Sequence, residues 1–148
     1  MLAQVTQARN DLPEEARRRV HLASLPTEDG EENAAIVNAL QRRADVVVQK
    51  SLREGFGLTV SEAMWKSQPV VASRIGGIQD QIVQGESGLL VDPEDLAGFG
   101  HAVTRLLHER GFAESIGRAA HERVRQEFLG PRHLLQYAEL IQGLLSSR

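Results

Sequence analysis

Glu54 and Glu62 bracket the stretch EGFGLTVSE, in which a Gly-Phe-Gly turn follows the apolar run Val46-Val47-Val48 and opens a helical pattern. In an open α/β sheet, ligands sit at this position, beyond the carboxyl end of a strand and at the mouth of the next helix. Glycines at 55 and 57 let the backbone approach a ligand closely, and the amides opening the helix suit a phosphate group. Two carboxylates beside a phosphate repel it, unless they hold hydroxyl-rich parts of the same ligand, such as a sugar and a ribose. A structural reading stands beside this one. A glycine turn is a common strand-to-helix connection, and a glutamate early in a helix complements the macrodipole. If both glutamates were helical they would stand about 80° apart and roughly 12 Å along the axis. Glu54 is therefore placed in the loop and Glu62 a turn inside the helix, gripping different parts of one elongated ligand.

The elements that must hold this stretch alternate between strand and helix. Residues 2–9 form the tail of a helix ended by Asn10-Asp11-Leu12-Pro13. VHLASL at 20–25 reads as a strand and Pro26-Thr27-Glu28-Asp29-Gly30 as a loop. Ile36, Val37 and Leu40 recur at helical spacing between Glu32 and Arg43. Then come a strand at 46–49, a helix at 59–66, a strand at 69–73 and a second glycine loop, Arg74-Ile75-Gly76-Gly77. A short helix at 80–83, the turn Gly85-Glu86-Ser87-Gly88 and a strand at 89–91 follow. Three amphipathic stripes close the chain: Leu96, Phe99, Val103, Leu106 and Leu107; then Phe112, Ile116, Ala119, Ala120 and Val124; then Leu134, Ala138, Ile141 and Leu145. The expected fold class is α/β, a partial Rossmann-like parallel sheet with helices on both faces and an all-helical end over 96–145. Both glycine loops follow strands and precede helices, so they face one end of the sheet and their amides can converge on one ligand.

Composition bounds the alternatives. The 148 residues make one domain, 1–148, with a formal net charge of −3, which disfavours nucleic acid or an anionic membrane as partner. There is no cysteine, hence no disulfide and no cysteine-based zinc site or nucleophile; this is compatible with the cytoplasm. No apolar stretch approaches a membrane span, and the first residues lack a signal peptide's apolar core. His101 and His108 share a helix, but neither their spacing nor nearby carboxylates make a metal site. No GxSxG elbow accompanies Ser61, no GxxxxGK[ST] is present, and no third glycine completes a GxGxxG fingerprint.

Several motifs in register give a family resemblance. Glu54-Gly55-Phe56-Gly57-Leu58 with Glu62-Ala63, then Pro69-Val70-Val71-Ala72-Ser73, Gly76-Gly77-Ile78 and Gly85-Glu86-Ser87-Gly88-Leu89-Leu90-Val91, resemble the family-4 retaining glycosyltransferases. The resemblance runs from about residue 20 to the end and covers the C-terminal, donor-binding domain of the GT-B fold. Asn38-Ala39-Leu40-Gln41-Arg42-Arg43, Gln49-Lys50-Ser51 and Ala63-Met64-Trp65-Lys66 are similar to the branch holding nucleotide-sugar-dependent trehalose synthases and trehalose phosphorylases. Gln79 and Asp80 stand where many relatives have Pro-Glu, as they roughly do in that branch.

The resemblance implies roles by position. Glu54 lies near the donor glucose as the catalytic carboxylate, and Glu62 holds the ribose hydroxyls. Gly55 and Phe56 belong to the same loop, and the amides of Gly57, Leu58 and Thr59 meet the diphosphate. Gly76 and Gly77 run along the sugar. Such an enzyme needs no cofactor or metal, and retention proceeds by front-side attack without a protein nucleophile. Relatives open this domain with two further strands, and the Arg and Lys clamping the diphosphate follow the first of them. This sequence begins beyond both and is expected to be a truncated domain without the acceptor-binding half. Lys50 and Arg53 are the cations placed to stand in for the clamp, or else are solvated surface residues. The missing strands would sit between 20–25 and 46–49, leaving an unpaired edge covered by self-association. The function implied is transfer of glucose from a nucleotide-glucose donor to a sugar acceptor, forming trehalose, with the isolated chain feeble or inactive. A trehalose phosphorylase fragment and a non-catalytic nucleotide- or sugar-binding remnant are the alternatives.

Overall fold

The computed structural model describes residues 2–25 and 28–146, so Pro26 and Thr27 of the expected loop lie outside the described residues. The chain divides into two compact units, residues 1–37 and 38–148, with the boundary inside helix α3.

The first unit holds α1 (Leu2–Asn10), α2 (Glu14–Arg19) and the start of α3 (Gly30–Arg43). Asp29 starts α3, its Oδ1 accepting the amides of Glu31 at 2.9 Å and Glu32 at 3.1 Å, an ordinary cap for otherwise unpaired donors. Apolar spacing does not announce helix α2. It follows Pro13, places Glu14 and Glu15 in its first turn and Arg17 to Arg19 in its last, and pairs Glu15 with Arg19 at 2.6 Å. These are favourable partners for a helix dipole, and α2 buries no residue.

The strand expected at 20–25 is not formed; VHLASL is irregular. A strand exists only where a neighbouring strand accepts its ladder, and the three strands described elsewhere pair solely with one another. Nor does the apolar character lead to burial, since Leu22 is 41% exposed.

The second unit carries the parallel sheet, in the order β1 (Val47–Gln49), β2 (Val70–Ser73), β3 (Leu89–Val91). Val48 registers with Val71, and Val71 with Leu89. Helix α4 (Leu58–Trp65) connects β1 to β2 and the four-residue α5 (Ile78–Gln81) connects β2 to β3, as parallel pairing requires. After β3 come α6 (Leu96–His108), α7 (Arg110–Glu127) and α8 (Gly130–Ser146). The central strand is buried throughout, which explains its uninterrupted apolar reading.

Alternation along β2 creates two hydrophobic clusters. Val70 and Ala72 meet Val60, Ala63 and Met64 of α4, Ile78 of α5, and Ala120 and Val124 of α7. Val71 meets Leu89, Phe99 and Leu106 of α6, and Ala113 and Ile116 of α7. The helices therefore cover both faces, and α7 contributes to each cluster. Asp95 caps α6 by accepting the Gly98 amide at 2.8 Å. Helix α8 forms as its stripe predicts but buries none of its described side chains, and Leu134 and Leu145 are 72% and 70% exposed. Among the described residues β1 pairs with β2 alone, and Val48 is exposed.

Candidate functional site

The parallel strands deliver three connections to one end of the sheet. The loop after β1 carries Lys50, Ser51, Arg53, Glu54, Gly55, Phe56 and Gly57; the loop after β2 carries Arg74, Gly76 and Gly77. Glu54 is half-buried, with its carboxylate held at both oxygens. Oε1 accepts the Gly55 amide at 3.0 Å and Oε2 accepts the Ser51 hydroxyl at 3.4 Å. Ser51 is itself fixed, because Gln49 Nε2 donates to its Oγ at 2.9 Å and its amide donates to Ser73 Oγ at 3.0 Å. A chain of side chains from the ends of β1 and β2 thus orients one carboxylate before any ligand arrives.

The two glycine loops touch through their main chains. The Gly77 amide donates to the Gly55 carbonyl at 2.7 Å. A Cβ on Gly77 would stand 2.7 Å from that carbonyl oxygen. Gly76 adopts φ 49°, and a Cβ there would collide with the carbonyl oxygen of Glu54. The convergence inferred from topology is therefore direct contact, and these two glycines serve the fit between the loops. Gly57 is buried against Ile78 and forms the N-cap of α4. No side chain caps α4, and its opening residues Leu58 and Thr59 are exposed. The Gly57 carbonyl accepts the Val60 amide at 2.9 Å. The amide-bearing end of α4 is thus presented to solvent beside the loop, an arrangement suited to an anion.

Glu62 lies one turn inside α4, exposed, and makes no ion pair among the described residues. Phe56 is 44% exposed and packs edge-on against Phe128, ring centroids 6.2 Å apart. The expected cations differ in setting. Lys50 Nζ leans over the Phe99 ring of α6, 5.9 Å from its centroid, while Arg53 is exposed. Arg74, exposed directly after β2, is a third cation at this end of the sheet, one that motif spacing does not single out. No three of the described His, Asp and Glu residues gather to hold a metal ion. No described helix is long and apolar enough to cross a membrane.

Sequence reasoning also missed Ser51, Ser73 and Gln81. The first two could have been found, since small polar residues at the carboxyl ends of adjacent parallel strands must meet. Gln81 left no comparable signal: a glutamine in a short helix is ordinarily solvated, yet this one is wholly buried. A hollow of about 530 Å³ opens elsewhere, lined by Asp45, Ser67, Gln68, Leu106, Arg110 and Glu114. It lies at the amino ends of the strands, opposite the loops, where sheets of this kind do not bind their ligands.

Comparison with known proteins gives consistent results. The family model "Glycosyl transferases group 1" matches residues 30–123. A trehalose synthase of Rubrobacter xylanophilus is 53% identical over 111 residues, covering 74% of this chain and 26% of that protein. Among solved structures, sucrose-phosphate synthase of Thermosynechococcus elongatus superposes with a TM-score of 0.73 at 31% identity, covering 99% of this chain and 34% of that one. Anabaena HepE in complex with UDP-glucose shares the fold, with a TM-score of 0.75 at 22% identity over 99% of this chain and 37% of that one. The chain spans about a quarter of the length of the curated relatives it matches.

Proposed function

The chain belongs to the group 1 glycosyl transferases, and we propose that it is the donor-binding part of a retaining glucosyltransferase that forms trehalose from a nucleotide-glucose and glucose. The observation that carries this reading is the loop pair: an oriented Glu54 carboxylate, the exposed amide end of α4 and Glu62 one turn further on, all at the carboxyl end of a parallel sheet. In that order they match the three parts of a nucleotide-sugar, namely glucose hydroxyls at Glu54, diphosphate at the amides of Gly57, Leu58 and Thr59, and ribose hydroxyls at Glu62. The carboxylate beside the sugar and the helix end beside the departing diphosphate stabilise opposite charges that grow as the glycosidic bond breaks. Front-side attack by the acceptor within that ion pair retains the anomeric configuration and requires no protein nucleophile, metal or cofactor. Lys50, Arg53 and Arg74 are the cations in reach of the leaving group's end of the sheet. These 148 residues by themselves are expected to transfer feebly or not at all.

Calorimetric titration with UDP, ADP and their glucose conjugates tests the reading. At least one nucleotide sugar is expected to bind, and Glu62→Ala to weaken it about ten- to hundredfold, the usual worth of charge-assisted hydrogen bonds to ribose. Trehalose binding without any nucleotide would favour a phosphorylase, and no binding of either kind a non-catalytic remnant.

Self-association belongs to the same reading. Among the described residues β1 pairs with β2 alone and Val48 is exposed, so the second edge of β1 is a template for pairing with another strand. Sedimentation velocity is expected to show a dimer or larger species at high protein concentration. A monomer throughout would remove this part of the proposal.

A further inference from the structure

Three consecutive residues of the first glycine loop are each held from the side of α5. The Gly55 carbonyl accepts the Gly77 amide, the Phe56 carbonyl accepts Gln81 Nε2, and Gly57 rests against Ile78. Gln81 is the unusual member. It is wholly buried, and its Oε1 has no hydrogen-bond partner among the described residues. A buried amide with one atom unsatisfied is a liability that a methionine of similar length would avoid. Its presence is accounted for by what the other atom does, since the amide N–H pairs with a Phe56 carbonyl that a methionine would leave without this donor.

Gln81 is in turn held in place. It ends α5, and the last carbonyls of a helix lack partners within it. Arg123 of α7 supplies them: Nε donates to the Gln81 carbonyl at 2.6 Å and the guanidinium's far nitrogen to the Asp80 carbonyl at 2.8 Å. The same guanidinium lies 5.8 Å from the centroid of the Phe128 ring, against which Phe56 packs. Phe56 is therefore gripped by its carbonyl through Gln81 and by its ring through Phe128, with Arg123 joining the two grips.

We propose that Gln81, anchored by Arg123, is the positioning residue that fixes the Gly55-Phe56-Gly57 loop in its donor-receiving conformation. The purpose assigned to the loop rests on the function proposed above; the tether itself does not. Gln81 touches no ligand and acts through the Phe56 main chain, so its removal loosens the loop while leaving the core filled.

The test compares the 148-residue chain with Gln81→Met and, as a milder variant, Arg123→Lys. Amide hydrogen exchange is followed at Gly77, whose bond to Gly55 reports the loop contact, and at Ala72 in the buried strand. Gln81→Met is expected to speed Gly77 exchange about tenfold, the loss of one ordinary hydrogen bond. Ala72 exchange and the thermal midpoint should stay unchanged, and Arg123→Lys should act in the same direction more weakly. Titration with UDP-glucose and ADP-glucose should show weaker binding in both variants. Equal Gly77 exchange in the variants and the unmodified chain would overturn the tether, as would acceleration at Gly77 and Ala72 alike, the mark of a purely structural role. If the unmodified chain binds neither donor, the proposed function fails while the exchange result still decides the tether.

Discussion

Gly76→Ala is expected to destabilise the chain by about 3 kcal/mol and to abolish nucleotide-sugar binding. Two effects add. A side chain at φ 49° is strained, and the new methyl group would occupy the space of the Glu54 carbonyl oxygen. The loops must separate to admit it, which carries Glu54 away from Ser51 and breaks the Gly77–Gly55 bond. Gly85 supplies the control: its φ is 77°, but a methyl group added there would meet nothing within 4 Å. Gly85→Ala should suffer the strain alone and keep donor binding. Thermal unfolding and titration measure both consequences. A Gly76→Ala chain that binds donor as well as Gly85→Ala would show that the loop contact is unimportant to the site.

Glu54→Gln is expected to remove the charge while keeping the shape. Because the carboxylate faces glucose in the proposed complex, the nucleotide sugar should lose its advantage over the free nucleoside diphosphate, about tenfold in affinity. Binding of the diphosphate alone should hold, since the amides of α4 are untouched. In a chain carrying both halves of the fold, transfer should fall about a thousandfold, as when a preorganised charge opposite a developing one is lost. Unchanged discrimination between UDP-glucose and UDP, or between the ADP pair, would place the sugar elsewhere and reassign Glu54 to holding the loop.

The parts of the fold that were legible in the sequence are those fixed by periodicity. The stripes of α6 and α7 name Phe99, Val103, Leu106, Phe112, Ile116, Ala120 and Val124 of the two clusters, although Leu96 and Leu107 stay exposed and buried Ala113 lies outside the stripe. The run Val70-Val71-Ala72-Ser73 names the central strand. Where pairing decides, periodicity failed. The apolar run at 20–25 looks like a strand but has no ladder partner, and α2 is made by charge placement and Pro13 rather than by an apolar face. The stripe of α8 correctly gives a helix, yet spacing says only which residues share a side, not whether anything covers them. The candidate site divides in the same way. That both glycine loops reach one end of the sheet follows from strand direction. That Gly76 presses on Glu54, that Ser51 orients it and that Gln81 lies beneath Phe56 depend on distances across the chain that no local pattern encodes.

Helix α7 has a consequence for how the second unit comes apart. Its first half gives Ala113 and Ile116 to one side of the sheet, and its second half gives Ala120 and Val124 to the other. Neither layer can melt while its neighbour stays folded, because the helix cannot leave one side and remain on the other. Heat or denaturant should therefore meet one all-or-none transition across both layers. A donor that binds at the loops as proposed should then protect even Leu106 and Ile116 in the second cluster, by mass action through a shared helix rather than through any contact of its own.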